Sequence, residues 1–165
     1  MTTEQKYISY QFTAFNQDLE KAEMAIPQPT GNQVVVRIDF CGVCHSDVHI
    51  HEGYYSLGDG KKLSLADRGI NLPVTLGHEI VGKISAVGPD CQDVKVGDQV
   101  LVYPWIGCGK CSVCKRGEEN LCMEPAALGV HKPGGYAEYV LVPDARYVMG
   151  IGKLEPAHAS LLACS

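Results

Sequence analysis

Basic charge is in short supply in this chain. Fourteen Lys and Arg stand against nineteen Asp and Glu, giving a formal net charge of −5. A mildly acidic protein without a basic stripe lacks the electrostatic footprint of a nucleic-acid binder. Long apolar runs are missing as well. No stretch reaches the roughly 20 residues a membrane-spanning helix needs. The N-terminus, M-T-T-E-Q-K-Y, has neither the positive flank nor the apolar run of a signal peptide. A cytoplasmic protein with no membrane and no nucleic-acid partner is therefore expected. Tandem repeats and low-complexity tracts are also absent. The apolar fraction of 45% and charged fraction of 20% are ordinary for a globular protein, and 165 residues give room for one domain with a real core.

Cysteine, by contrast, is plentiful: eight residues, which in a cytosolic setting argue for metal rather than disulfides. Four of them, Cys108, Cys111, Cys114 and Cys122, form a C-x2-C-x2-C-x7-C run. Such a run can close a tetrahedral zinc site without help from distant sequence, and four thiolates leave no open position for a substrate. A structural zinc lobe over about residues 106–123 is expected; free or disulfide-bonded cysteines are the alternative. Lys110, Lys115 and Arg116 lie among the ligands and can offset the net double negative charge of four thiolates around one divalent ion.

Glycine (18) and proline (9) punctuate the rest and predict short β-rich segments with many turns. Strands are expected over Gln33–Phe40, Glu79–Val87, Asp98–Trp105 and Tyr136–Val142, with turns at 88–90, 96–98 and 132–135. Residues 56–71 read as a polar, irregular surface excursion, either a lid or oligomer contact or simply a solvated loop. A helix is expected from Glu155, with Pro156 in its first turn. The class is mainly β, a folded-over barrel or sandwich with short helices. The last helix has barely formed when the sequence stops at Ser165, so a single domain over 1–165, truncated or one half of something larger, is expected.

A second set of candidate ligands lies outside the lobe, in C-G-V-C-H-S-D (Cys41–Asp47), G-H-E (Gly77–Glu79) and Cys164. A catalytic zinc takes three protein ligands and keeps one place open. Cys44, His78 and Cys164 would meet that need if the fold brought them together, although their spacing alone is a weak signal.

Taken in order, these motifs carry a resemblance. G-H-E-I-V-G-K-I-S-A-V-G-P-D-C (Gly77–Cys91) resembles the zinc signature of medium-chain alcohol dehydrogenases. G-V-C-H-S-D (Gly42–Asp47) is similar to the first-ligand motif of that family. The V-x-V-G-D-x-V turn (Val94–Val100), the four-cysteine lobe and G-G-Y-A-E-Y (Gly134–Tyr139) follow in the family's order. The resemblance implies a GroES-like catalytic domain, ordinarily joined to a Rossmann domain that binds NAD or NADP. No G-x-G-x-x-G follows a strand in this chain, so no dinucleotide fingerprint is assigned.

The resemblance also implies residue roles. Cys44, His78 and Cys164 would hold the catalytic zinc and the lobe a second zinc, two per chain. Ser46 would take the proton of the substrate hydroxyl, as a group that both donates and accepts can. His49 would pass it on to solvent through the cofactor ribose, with a solvated imidazole as the alternative and His51 close enough to be confused with it. Asp47 would hold the free ring nitrogen of His78, or act as a helix N-cap. Glu79 would be an acidic neighbour of the metal rather than a resting ligand, and His45 would lie near the cofactor phosphates. Trp105, Tyr54 and Tyr55 would line an apolar cleft or pack in the core; Cys41 and Cys91 would be small buried residues. The implied activity is reversible oxidation of a small alcohol to an aldehyde or ketone, in an intact enzyme expected to be a homo-oligomer. The alternatives are a zinc-stabilised binding module without chemistry, and a relative acting on polyols or aldehyde adducts.

Overall fold

The computed structural model describes residues 5–164. Along the chain lie β1 (Lys6–Phe12), β2 (Glu20–Ala25), β3 (Val34–Gly42), α1 (His45–Glu52), β4 (Tyr54–Gly58), β5 (Lys61–Ser64), β6 (Val74–Thr75), β7 (Glu79–Val87), β8 (Gln99–Val102), α2 (Ser112–Lys115), β9 (Tyr139–Val142), β10 (Val148–Gly150) and α3 (Pro156–Leu161). A five-stranded sheet runs β10-β8-β7-β3-β9 and a three-stranded one β2-β1-β6, while β4 and β5 form a hairpin. Every pairing of these strands is antiparallel, so among the described residues there is no parallel βαβ unit of the kind that binds dinucleotides. None of the described helices is long and apolar enough to cross a membrane.

The long pair β3–β7 is the spine. Val34, Val36, Ile80 and Ile84 face the main core with Val100, Val102 and Val140. On the other face of β7, Val81 packs with Ile151, just after β10, and with Ala159 of α3. The first four residues of β7, Glu79–Gly82, are buried on both faces, while Lys83 and Ser85 beyond them are exposed. Each fully buried Val or Ile contributes about 1.5–3 kcal/mol relative to exposure. A second core under α1 gathers Phe12, Ile50, Leu65, Ile70, Val74 and Leu76.

Residues 134–138 join the two sheets. The Tyr136 N–H donates to Leu76 O (2.9 Å), the Tyr10 N–H to Tyr136 O (2.8 Å), the Glu138 N–H to Ile8 O (3.0 Å) and the Ile38 N–H to Glu138 O (2.9 Å). The strand expected from Tyr136 therefore begins as β9 only at Tyr139, because its first residues pair across to β1 and to residues 75–77. Close approach here requires glycine. A Cβ on Gly134 would lie 2.1 Å from Gly77 O and 2.5 Å from the Gly129 Cα.

Several expectations are corrected in detail. The strand expected over Asp98–Trp105 closes at Val102, where the Tyr103 N–H turns to Tyr147 O and Pro104 has no N–H to give. Residues 56–71 are not irregular: they hold most of the β4–β5 hairpin, turned at Asp59 and its glycines, then a 3-10 turn at Ala66–Arg68. Leu65 and Ile70 from this segment are buried. The helix at Pro156 forms as expected, N-capped by Glu155, whose carboxylate accepts from the His158 N–H. Strands β1 and β2 and helix α1 were not anticipated.

The four-cysteine lobe is clasped to the barrel by Glu119. Its Oε2 accepts from the Gly107 N–H (3.2 Å) and the Tyr147 hydroxyl, and its Oε1 pairs with Arg146 Nη2 (2.8 Å). Burial pushes the Glu119 carboxyl up, but these partners, Tyr147 foremost, hold it below its ordinary value of 4.5. A folded-state pKa held low gives stabilisation that is complete above the unfolded value and is lost as pH falls through the folded one. Glu119→Gln is expected to lower stability at neutral pH by roughly 1–3 kcal/mol. The gap between wild type and variant should shrink as the pH drops below that ordinary value, and urea unfolding followed against pH checks both.

Candidate metal centres and the cleft beside them

In the lobe, Cys111 N-caps the short helix α2 and the chain returns through a 3-10 turn to Cys122. The four sulfurs gather with separations of 3.9 Å (Cys108–Cys114), 3.4 Å (Cys111–Cys114) and 3.9 Å (Cys111–Cys122). Four sulfurs at a Zn–S distance of 2.3 Å in a tetrahedron stand about 3.8 Å apart, whereas a disulfide needs about 2.05 Å. The set thus has the spacing of a zinc tetrahedron. Its protonation is lopsided: backbone N–H groups at Lys110 and Cys111 bring Cys108 down to about 6, while burial and the neighbouring sulfurs push Cys114 up to about 12. Bare thiols cannot all ionise side by side, whereas a divalent cation allows it.

The expected charge offset is partly taken up elsewhere. Lys110 pairs with Glu124 (3.5 Å) and Arg116 with Glu118 (2.8 Å), all exposed. Backbone amides do more. The Cys108 and Glu124 N–H groups point at Cys122 Sγ, and the Cys114 N–H at Cys111 Sγ, at 3.3–3.4 Å. Such donors favour the thiolate.

The second centre is assembled from three distant segments. Cys44 lies where β3 ends and N-caps α1 with its own sulfur. His78 immediately precedes β7, and Cys164 follows α3. The fold brings donor atoms of Cys44, His78, Cys164 and Glu79 within 4.8 Å of one another, with the two sulfurs 3.6 Å apart. His78 is 1% exposed, yet its Nε2 has no hydrogen-bond partner. A buried nitrogen with nothing to bond, facing two thiols, fits a metal ligand better than a core histidine. For Cys44, burial pushes upward, but the Ser46 N–H and contacts with Ser46, His78 and Cys164 outweigh it and hold the thiol below its ordinary value. Burial and then Cys44 push Cys164 up to about 11. Again one thiolate resists a second in the absence of a cation.

Asp47 is the hub of this centre. It is 4% exposed and each oxygen has two partners. Oδ2 accepts from the Cys44 N–H (3.0 Å) and the Tyr136 hydroxyl (3.1 Å). Oδ1 accepts from the Gly77 N–H (3.1 Å) and lies 3.4 Å from His78 Nδ1. That last contact is long and poorly aligned, an electrostatic pairing more than a hydrogen bond. Burial opposes the charge on Asp47, but His78 and the two amides hold the carboxyl below its usual range. Asp47 is not the helix N-cap. That position is Cys44, and Asp47 closes a capping box from the third position of α1.

The remaining expected residues divide. Ser46 lines a cavity of about 530 Å³ together with His78, Trp105, Tyr55, Ile50 and Ile70. Glu79, 5% exposed, packs so tightly on Gly42 that a Cβ there would lie 2.0 Å from its Oε2. His45 and His49, one helical turn apart, stack on each other at 4.5 Å, and Glu52 lies 3.7 Å from His49 Nδ1. Neither belongs to the donor cluster or the cavity lining. His51 is occupied elsewhere, its Nε2 2.7 Å from Gln17 O. Tyr54 does not line the cleft; Lys62 Nζ sits 3.6 Å over its ring. Cys41 and Cys91 are half-buried against the main core, and burial pushes the Cys41 thiol up to about 12, which leaves it inert. Sequence reasoning missed Asn120, Met123 and Pro125 of the lobe, which form one wall of the cavity. It also missed Tyr136. Nothing in a C-x2-C spacing says which way the lobe folds, and a Tyr in a strand reads first as packing.

Comparison with known proteins agrees with this geometry. The family described as "Alcohol dehydrogenase GroES-like domain" matches residues 30–153. An "NAD-dependent alcohol dehydrogenase" of Sulfurisphaera tokodaii is 45% identical over 147 residues, covering 89% of this chain and 41% of that protein. A "D-arabinose 1-dehydrogenase (NADP(+))" of Saccharolobus solfataricus is 35% identical, covering 90% of this chain and 40% of that protein. Among solved structures, a cobalt- and zinc-bound thermostable alcohol dehydrogenase from Pyrobaculum aerophilum superposes with a TM-score of 0.77 at 26% identity, over 96% of this chain and 45% of that one. The chain spans about two fifths of the length of the curated relatives it matches. The barrel, the motif order and these matches together place the chain in the zinc-containing medium-chain alcohol dehydrogenase family, and the part of that architecture it carries is the GroES-like domain.

Proposed function

We propose that this chain is the zinc-bearing catalytic part of an NAD(P)-dependent alcohol dehydrogenase, with one structural and one catalytic zinc, and that the intact enzyme is a cytoplasmic homo-oligomer. The observation that carries this reading is the convergence of Cys44, His78 and Cys164 beside a largely apolar cavity, with His78 Nε2 buried and unpartnered. Zinc at that place supplies Lewis acidity toward a substrate oxygen.

The chain's own residues supply the rest. Asp47 lies 3.4 Å from His78 Nδ1 and pairs electrostatically with that side of the ring, which favours a hydrogen on Nδ1 and leaves Nε2 free as a ligand. Trp105, Ile50, Tyr55 and Leu65 wall the cavity and reduce the water around the reacting carbon. Ser46, which lines the cavity beside His78, is the hydroxyl assigned to accept the substrate's proton. His49, one helical turn further along α1, is the group to which that proton passes. A bound nicotinamide would supply the hydride acceptor for oxidation of the alcohol carbon to a carbonyl, and this chain's part is to hold the substrate in the cavity and take its hydroxyl proton at Ser46. His45 sits on the outer face of α1, where cofactor phosphates would be met. Glu79 remains a neighbour of the ligand set. A polyol or sugar substrate is the second reading. It is favoured by Asp67 and Asn120 in the cavity wall and by the likeness to the D-arabinose 1-dehydrogenase.

Protein purified without chelator is expected to hold close to two zinc ions per chain. Cys108→Ser should prevent folding, because structural zinc supplies folding free energy directly. Cys44→Ser should keep the fold and lose one ion. Metal analysis with circular dichroism distinguishes these outcomes; the reverse pattern would exchange the two assignments.

The chain alone is expected to give no NADH from ethanol or another simple alcohol, since no dinucleotide-binding unit is present among the described residues. When the remaining three fifths are supplied, as fusion or companion polypeptide, turnover should appear. There, Ser46→Ala should lower kcat by roughly 10²–10⁴-fold, read by absorbance of the reduced nicotinamide.

A further inference from the structure

We propose that Tyr136 is a positioning residue for the second metal centre, its hydroxyl locking the Asp47 carboxylate in the orientation that aims His78 at the two thiols. The inference rests on the reading that Cys44, His78 and Cys164 hold a metal, and extends it to a side chain outside that cluster.

A carboxylate offers about four acceptor sites; three on Asp47 accept hydrogen bonds and the remaining one lies in an electrostatic contact with His78. Two go to backbone amides, at Cys44 and at Gly77 beside His78. One faces His78 Nδ1. The last goes to Tyr136, whose hydroxyl makes no other side-chain hydrogen bond among the described residues. With this bond in place, rotation of the carboxylate about its last torsion would strand a buried donor. Without it, Oδ2 keeps only the Cys44 amide. The carboxylate can then turn, and its contact with His78, already long at 3.4 Å, is the weakest to survive.

Tyr136 is itself held rigidly. Its N–H and C=O are bonded to Leu76 and Tyr10 on opposite sides. Its ring lies against Gly77, where φ is +89° and a Cβ would come within 2.6 Å of Tyr136 Cδ1. Any side chain at 77 would displace the ring and, through Asp47, the ligand beside it. Burial, then Asp47, push the Tyr136 phenol well above its ordinary value, so it remains a donor at any working pH.

Tyr136→Phe keeps the ring and removes only the hydroxyl. Titration of the purified chain with zinc against a chromophoric chelator measures both centres in one sample. Affinity at the Cys44–His78–Cys164 centre is expected to fall about 10-fold, as for other groups that orient a metal-bound histidine, with the four-cysteine centre unchanged. In an Asp47→Asn background the same change should have little further effect, because the hydroxyl acts through the carboxylate. Unchanged affinity in Tyr136→Phe, equal weakening of both centres, loss of folding, or additive effects in the double variant would each overturn the proposal. Wild-type chain that binds zinc only at the four cysteines would instead overturn the metal reading beneath it.

Discussion

The buried carboxylate of Asp47, with three hydrogen bonds from three segments, is the constraint around which the second centre is arranged. A buried charge persists only when its lone pairs are satisfied. Here the donors come from the end of β3, the approach to β7 and the crossing at 134–138. Satisfying one anion thereby fixes the mutual position of three segments far apart in sequence, two of which carry Cys44 and His78. The glycines at 77, 129 and 134 are the steric counterpart of the same arrangement, since the backbones they allow into contact leave no room for a Cβ. The positions of Cys44 and His78 are thus tied to the barrel's closure.

The two centres differ in kind. In the lobe, four cysteines within fifteen residues meet through local turns, and backbone amides point at their sulfurs. The Glu119 clasp then carries that self-contained unit onto the barrel, where Asn120, Met123 and Pro125 become a wall of the cavity. A site that closes on itself therefore shapes the space in which a substrate would lie. The other centre leaves the cavity on one side of His78, with Ser46 and Trp105 beside it.

Much of this was legible in the sequence, for reasons that can be named. Strand β7 is legible to the residue because it alternates buried and exposed positions after a buried start and ends at Gly88-Pro89. The lobe was legible because its ligands are local. Helix α1 was not: H-S-D-V-H-I-H-E buries only Asp47 and Ile50, so it shows no apolar stripe, and a cysteine is an unusual cap. Strand β1 hides because its central buried residue is Ser9, paired with Thr75 at 2.7 Å, and β2 because it is almost wholly exposed and charged. The hairpin in 54–64 is turned by G-D-G and followed by two lysines, so its tip reads as loop. Among site residues, Cys44, His78 and Cys164 came from motif resemblance, which their spacing alone could not supply. Tyr136 and Glu119 act through contacts made only after the sheets cross, and no local pattern marks them.

The central claim is that the barrel presents a second, accessible metal centre beside the cavity in addition to the sealed one in the lobe. Anomalous diffraction at the zinc edge, from crystals of protein never exposed to chelator, tests it most directly. The account predicts two peaks, one among the four lobe cysteines and one between Cys44, His78 and Cys164. A single peak in the lobe, with the other position empty in fully metallated protein, would contradict it.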